Sequence, residues 1–139
     1  MINSAEEFVA LRTSEIPEEY LRAATEPATV ETWREIIDRF PEMKTWVAHN
    51  KTAPVEILET LARDSDTRVR TFVAMKNKLP KHLFLLLADD EDSCVRQKIG
   101  YSKNAPLEIV LKLAENPANL ISPERIRSLK ERAERCNQK

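Results

Sequence analysis

Few side chains in this chain have the type and spacing that chemistry requires. His49 and His82 are the two histidines, Cys94 and Cys136 the two cysteines, and Asp89-Asp90-Glu91-Asp92 is the densest run of carboxylates. A zinc or redox site needs ligands grouped at short, defined spacings, and these histidines and cysteines are scattered singly with no CxxC or helical His pair. No serine or cysteine stands in a pattern that supplies it with a base, and no glycine-rich phosphate loop occurs. Asp89 and Asp90 could serve as an acid-base pair in a cleft, but beside Glu91 and Asp92 they read as charges of a solvated loop. The sequence therefore points away from an enzyme, a metal site and a bound cofactor.

The elements that would position any site follow from composition. The 139 residues suffice for one domain with its own core; 42% are hydrophobic and 32% charged, which is the balance of a folded globular chain. A formal charge of −1 provides no general attraction to nucleic acid or anionic lipid. The opening residues Met1 to Glu7 lack the basic and apolar regions of a signal peptide, and no apolar run approaches bilayer length, so the expected location is cytoplasmic, away from membrane. Gly100 is the single glycine, whereas prolines number eight. Tight hairpins and phosphate loops depend on glycine, while proline suits the first turn of a helix, where its missing N–H would be unpaired anyway. An all-α fold is expected.

A 26-residue period runs from about Met43 to Pro117. Pro54, Pro80 and Pro106 share one slot, as do Leu61, Leu87 and Leu113, and Ala62, Ala88 and Ala114. The same offset relates Val47, Val73 and Ile99; Ile57, Leu83 and Ile109; Lys44, Arg70 and Arg96; and Asp64, Asp90 and Asn116. Each repeat reads as two short helices, Thr67 to Met75 and then Pro80 to Ala88 in the middle copy, with Val69, Phe72, Val73, Leu83 and Leu87 on inner faces. Helices this short cannot hold alone, so stacking must stabilise them. Residues 1–42 form a divergent first unit with helices over Pro17 to Thr25 and Thr29 to Phe40, residues 43–120 three repeats, and residues 121–139 a capping helix opened by Ser122-Pro123, with Ile126, Leu129 and Ala133 facing inward.

Val47-Ala48-His49-Asn50, Pro54, Ile57-Leu58, Leu61 to Asp66, Val69-Arg70 and Val73-Ala74 resemble the leucine-rich repeat variant family, related in style to HEAT repeats. The resemblance covers about half of the chain. It implies a right-handed α-α superhelix of paired short helices, commonly one α and one 3-10, with binding surfaces on its faces. The family's Asn-Pro after the first helix is Asn50-Lys51 here, the period is slightly longer, and Gly100 stands where other copies have alanine, so HEAT-like longer first helices remain open. The iron-sulfur module found beside such repeats in some relatives would need more than two cysteines.

Function then turns on departures from the repeat. Glu59 becomes Leu85 and Leu111, Thr60 becomes Leu86, and Trp46 and Phe72 share a slot that Lys98 fills. Leu85, Leu86, Leu111, Trp46 and Phe72 are candidate apolar anchors, unless curvature or the C-terminal helix buries them. Turns after the second helices carry Asp64, Asp66, Asp89, Asp90, Glu91, Asp92 and Glu115; turns within repeats carry Lys51, Lys76, Lys78, Lys81 and Lys103. Stacked turns would make one acidic and one basic edge. Arg70 and Arg96, six residues after Asp64 and Asp90, suit an Asp-Arg ladder, which leaves Asp89, Glu91 and Asp92 to meet a basic partner. The expected function is a non-catalytic protein-protein interaction module. Alternatives are an immunity or antitoxin protein that blocks a basic toxin and, last, a HEAT-like nucleic-acid binder.

Overall fold

The computed structural model describes residues 1–137, and among these the secondary structure is entirely helical. Ten α-helices are α1 (Ala5–Thr13), α2 (Pro17–Thr25), α3 (Val30–Arg39), α4 (Lys44–His49), α5 (Val55–Ala62), α6 (Thr67–Ala74), α7 (Lys81–Ala88), α8 (Ser93–Gly100), α9 (Leu107–Ala114) and α10 (Pro123–Asn137). Short 3-10 turns occupy Pro41–Met43 and Pro117–Asn119. No described helix is long and apolar enough to cross a membrane. The chain divides into two compact units, Met1–Val73 and Ala74–Lys139.

The 26-residue period reappears in the helix boundaries. Helices α5, α7 and α9 each span eight residues, and so do α6 and α8. The first helix of a repeat is thus α in these two copies, while the copy at 41–49 begins as a 3-10 turn and continues as α4. Pro54, Pro80 and Pro106 take the N-cap position rather than the first helical turn. Each has extended backbone, and its carbonyl accepts from the residues three and four further on, such as Ile57 and Leu58 at 3.0 and 3.1 Å. Pro17, Pro41, Pro117 and Pro123 do open helices from within.

Burial follows the slots. Val47, Val73 and Ile99 are fully enclosed, as are Ile57, Leu83 and Leu87, and Leu58, Phe84 and Val110 fill a further slot. In the first unit, α1 and α2 pack together and α1 also covers α3, where Phe8 meets Trp33 edge to face at 5.5 Å. Helix α1 was not anticipated, although Ser4 and Glu7 form a start signal: the Ser4 hydroxyl accepts from the Glu7 amide at 3.0 Å. Helix α3 is shorter by a residue at each end than expected and buries Trp33 and Ile36.

Polar slots close the turns. Asp64, Asp90 and Asn116 accept from the amide two residues on, at 2.9, 2.9 and 3.0 Å, so this slot requires an Asx side chain. Arg70 and Arg96 reach six residues back, but to the main-chain carbonyls of Asp64 and Asp90 (2.8 and 2.6 Å). The link to the next turn runs forward instead. Lys44, in the arginine slot, pairs with Asp64 at 2.8 Å, and Arg96 donates to Asn119 at 2.8 Å.

Asn50 is fully buried. Its amide donates to the carbonyls of Ala23 and Glu26 at 2.8 and 3.1 Å, and its oxygen accepts from the Thr52 amide at 2.7 Å. Those two carbonyls lie at the end of α2, where no helical donor is left for them. In the second unit, α10 packs on α9 and buries Leu129, and Arg125 donates to the carbonyls of Gly100 and Ser102 at 3.0 and 2.6 Å. Ala133 is exposed, contrary to its expected inward position, because the helix extends past the surface that Leu129 covers. A β-carbon on Gly100 would stand 2.3 Å from the terminal methyl of Ile121, so an alanine in this slot would require that side chain to turn aside.

Leu87→Ala should destabilise the protein by about 2 to 5 kcal/mol in urea melts; a loss below about half a kilocalorie would refute the inner assignment of this slot. Asn50→Ala should cost about 1 to 3 kcal/mol, since it strands buried carbonyls and an amide, and exchange protection of the Thr52 amide should fall with it.

Candidate functional site

The anchors expected on the middle repeat divide by position. Leu85 is 47% and Leu111 38% exposed, in equivalent slots of α7 and α9, which pack against each other. Leu86 is half-buried. Asp89, at the C-cap of α7, is exposed, with the Lys112 ammonium 3.9 Å away. The rest of the acidic run has structural duties. Asp90 closes the turn, and Asp92 caps α8 by accepting from the Cys94 amide at 2.7 Å. Glu91 is exposed and already has an interaction partner in the fold. One carboxylate oxygen of Asp92 is thus committed to the start of α8.

Trp46 and Phe72 come together in the first unit. Their ring centroids lie 6.1 Å apart, and His49 packs edge to face on both, at 5.9 Å from Trp46 and 6.4 Å from Phe72. Both members of the shared slot are half-buried, so the row is held from below and open above. Arg12, at the end of α1, lays its guanidinium over Trp46 at 3.4 Å from the ring centroid, with Tyr20 at 5.9 Å. Stacking fixes the plane of an arginine without consuming its N–H groups.

A cleft of about 310 Å³ opens beside this stack, lined by Arg12, Tyr20, Leu21, Ala23, Ala24, Trp46 and His49. A second depression is lined by Thr45, Thr67, Arg68, Thr71 and Phe72. Helices α1, α2 and α4 bring the cleft together, and α4 is tied to α2 through Asn50. Sequence reasoning singled out Trp46 and Phe72 but missed Arg12 and Tyr20, which lie outside the repeat and carry no periodic signal.

The arginines of this unit differ in their surroundings. Arg22 pairs with Glu26 and lies 3.4 Å from Glu7. Arg22 and the terminal ammonium of Met1 hold the Glu26 carboxyl down at about 2. Arg39 pairs with Glu6 and Glu35, and Arg68 with Asp66. Arg12 has no carboxylate among the described residues, and its Nε is buried without an acceptor. Among the described residues no group of histidine, cysteine and carboxylate side chains has the arrangement of a metal site.

Set against protein-family models, curated proteins and solved structures, the chain matches none. Its site must be read from its own geometry.

An NMR titration should place the Glu26 midpoint near 2, and Arg22→Gln should move it toward the ordinary value of 4.5. Because folding lowers this pKa, its contribution to stability is complete above about 4.5 and is lost as pH falls through about 2.

Proposed function

We propose that this chain is a non-catalytic binding module of the helical-repeat kind, resembling leucine-rich repeat variant and HEAT arrays in its right-handed helix pairing, and that its ligand is another protein. The observation that carries this reading is the half-open row of Trp46, His49 and Phe72, backed by Arg12 and flanked by the cleft. Tryptophan, tyrosine and arginine dominate the energetic centres of protein interfaces because they combine large apolar area, few rotatable bonds and directional polar edges. Here those three types converge on one concave surface. The helix positions at a 26-residue spacing support the repeat assignment, since equivalent slots then display side chains in rows.

A second surface on the other unit supports an acid-guided mode. Leu85 on α7 and Asp89 at the C-cap of that helix stand beside Leu111, an apolar anchor next to an exposed carboxylate, which suits a basic partner such as a toxin domain held by an immunity protein.

Affinity capture from the native source with mass spectrometry tests both. Phe72→Glu should eliminate the captured protein while leaving the circular dichroism spectrum and melting temperature near those of the parent. Loss of capture in Leu85→Glu with Leu111→Glu, and none in Phe72→Glu, would transfer the function to the second surface.

A further inference from the structure

The cleft beside Trp46 has a one-sided chemistry. Its lining holds apolar surface from Leu21, Ala23, Ala24 and Trp46, a phenol from Tyr20, and no carboxylate. Its permanent charge is Arg12. That guanidinium is already partly removed from water by its position over Trp46, its Nε is buried with no acceptor, and it donates to no protein group among the described residues. A desolvated cation without a counter-ion is costly, and Arg22, Arg39 and Arg68 of the same unit each have one. What the protein omits, a ligand can supply. A carboxylate fits best, because a stacked guanidinium keeps its planar edge available for two parallel hydrogen bonds.

We propose that the cleft binds an acidic segment of an extended polypeptide, with a carboxylate on Arg12 and a neighbouring apolar side chain against Trp46 and Leu21. This rests on the protein-binding reading above and assigns the chemistry of the ligand. Two depressions border the one aromatic row, the cleft at Trp46 and a second lined by Thr45, Thr67, Arg68, Thr71 and Phe72, so an extended chain can address more of this surface than a small metabolite. Trp46 and Phe72 are 6.1 Å apart, close to the spacing of about 6.6 Å between alternate side chains of an extended strand. Successive outward residues of one strand can therefore address successive aromatic rings.

The test uses the full chain and three fluorescein-labelled hexapeptides in which phenylalanine and leucine alternate with aspartate and glutamate, with asparagine and glutamine, or with lysine. Anisotropy titrations should show the acidic peptide binding about tenfold or more tightly than its amide twin, and weakening as salt rises from about 50 to about 300 mM. Arg12→Gln should remove the difference between the acid and amide peptides, Arg12→Lys should restore part of it, and the Trp46 indole N–H resonance should shift on titration with the acidic peptide alone. Equal affinity for acid and amide peptides would overturn the assignment of the ligand's charge and leave the protein-binding reading standing. Preference for the lysine peptide would also overturn it. Competition by phenylacetate at the affinity of the peptide would replace the polypeptide with a small carboxylate. Failure of all three peptides to bind would remove both the inference and the role of the cleft. The comparison of acid with amide peptide needs only the unaltered protein, so a poorly folded Arg12 variant does not protect the proposal.

Discussion

The constraint on which the rest depends is the shortness of the helices. An eight-residue helix has no internal partner for its first four amides and its last four carbonyls, so half of its backbone polar groups must be satisfied from outside. Burying Leu58, Leu83 or Val110 therefore becomes favourable only when the turns around those helices are also closed. The 26-residue sequence period encodes both needs at once. Apolar slots provide the core, and polar slots provide the donors and acceptors that the helix ends lack.

The polar slots are consequently as structural as the leucines. Proline carbonyls start the second helices, Asp64, Asp90 and Asn116 tighten the turns that follow them, and arginine in its slot returns to the carbonyl of the turn just passed. Asn50 in the first unit and Arg125 in the second serve the same need, each satisfying carbonyls at the end of a neighbouring segment. Much of the charge that composition suggests is free for recognition is thereby committed to the fold. Asp92 shows this directly, a member of an acidic run that serves as a helix cap.

The proposed binding surfaces use slots where the period is broken or has no counterpart. Leu85 and Leu111 replace a glutamate and remain exposed, and Trp46 and Phe72 stay half-buried with their rings in edge contact. Arg12 and Tyr20 come from the irregular N-terminal helices and turn that row into one wall of a cleft. The repeat positions the row, and the irregular N-terminal helices give it concavity and charge.

The sequence by itself determined the helical class, the 26-residue register and the inner positions of Val47, Val73, Leu83 and Leu87, because periodic burial leaves a periodic pattern. It also marked Trp46 and Phe72 as equivalent. Tertiary structure alone decided which anomalous side chains stay exposed, as with Leu85 beside half-buried Leu86, since that depends on which neighbouring helix covers each face. It alone showed that Arg70 and Arg96 seek carbonyls of their own turns, a distinction that six-residue spacing cannot make between a side-chain oxygen and a main-chain one. The meeting of Arg12 with Trp46 joins residues far apart in the chain and outside any shared period. Only the packing of α1 and α2, and of α2 against α4, could bring that cation onto that ring.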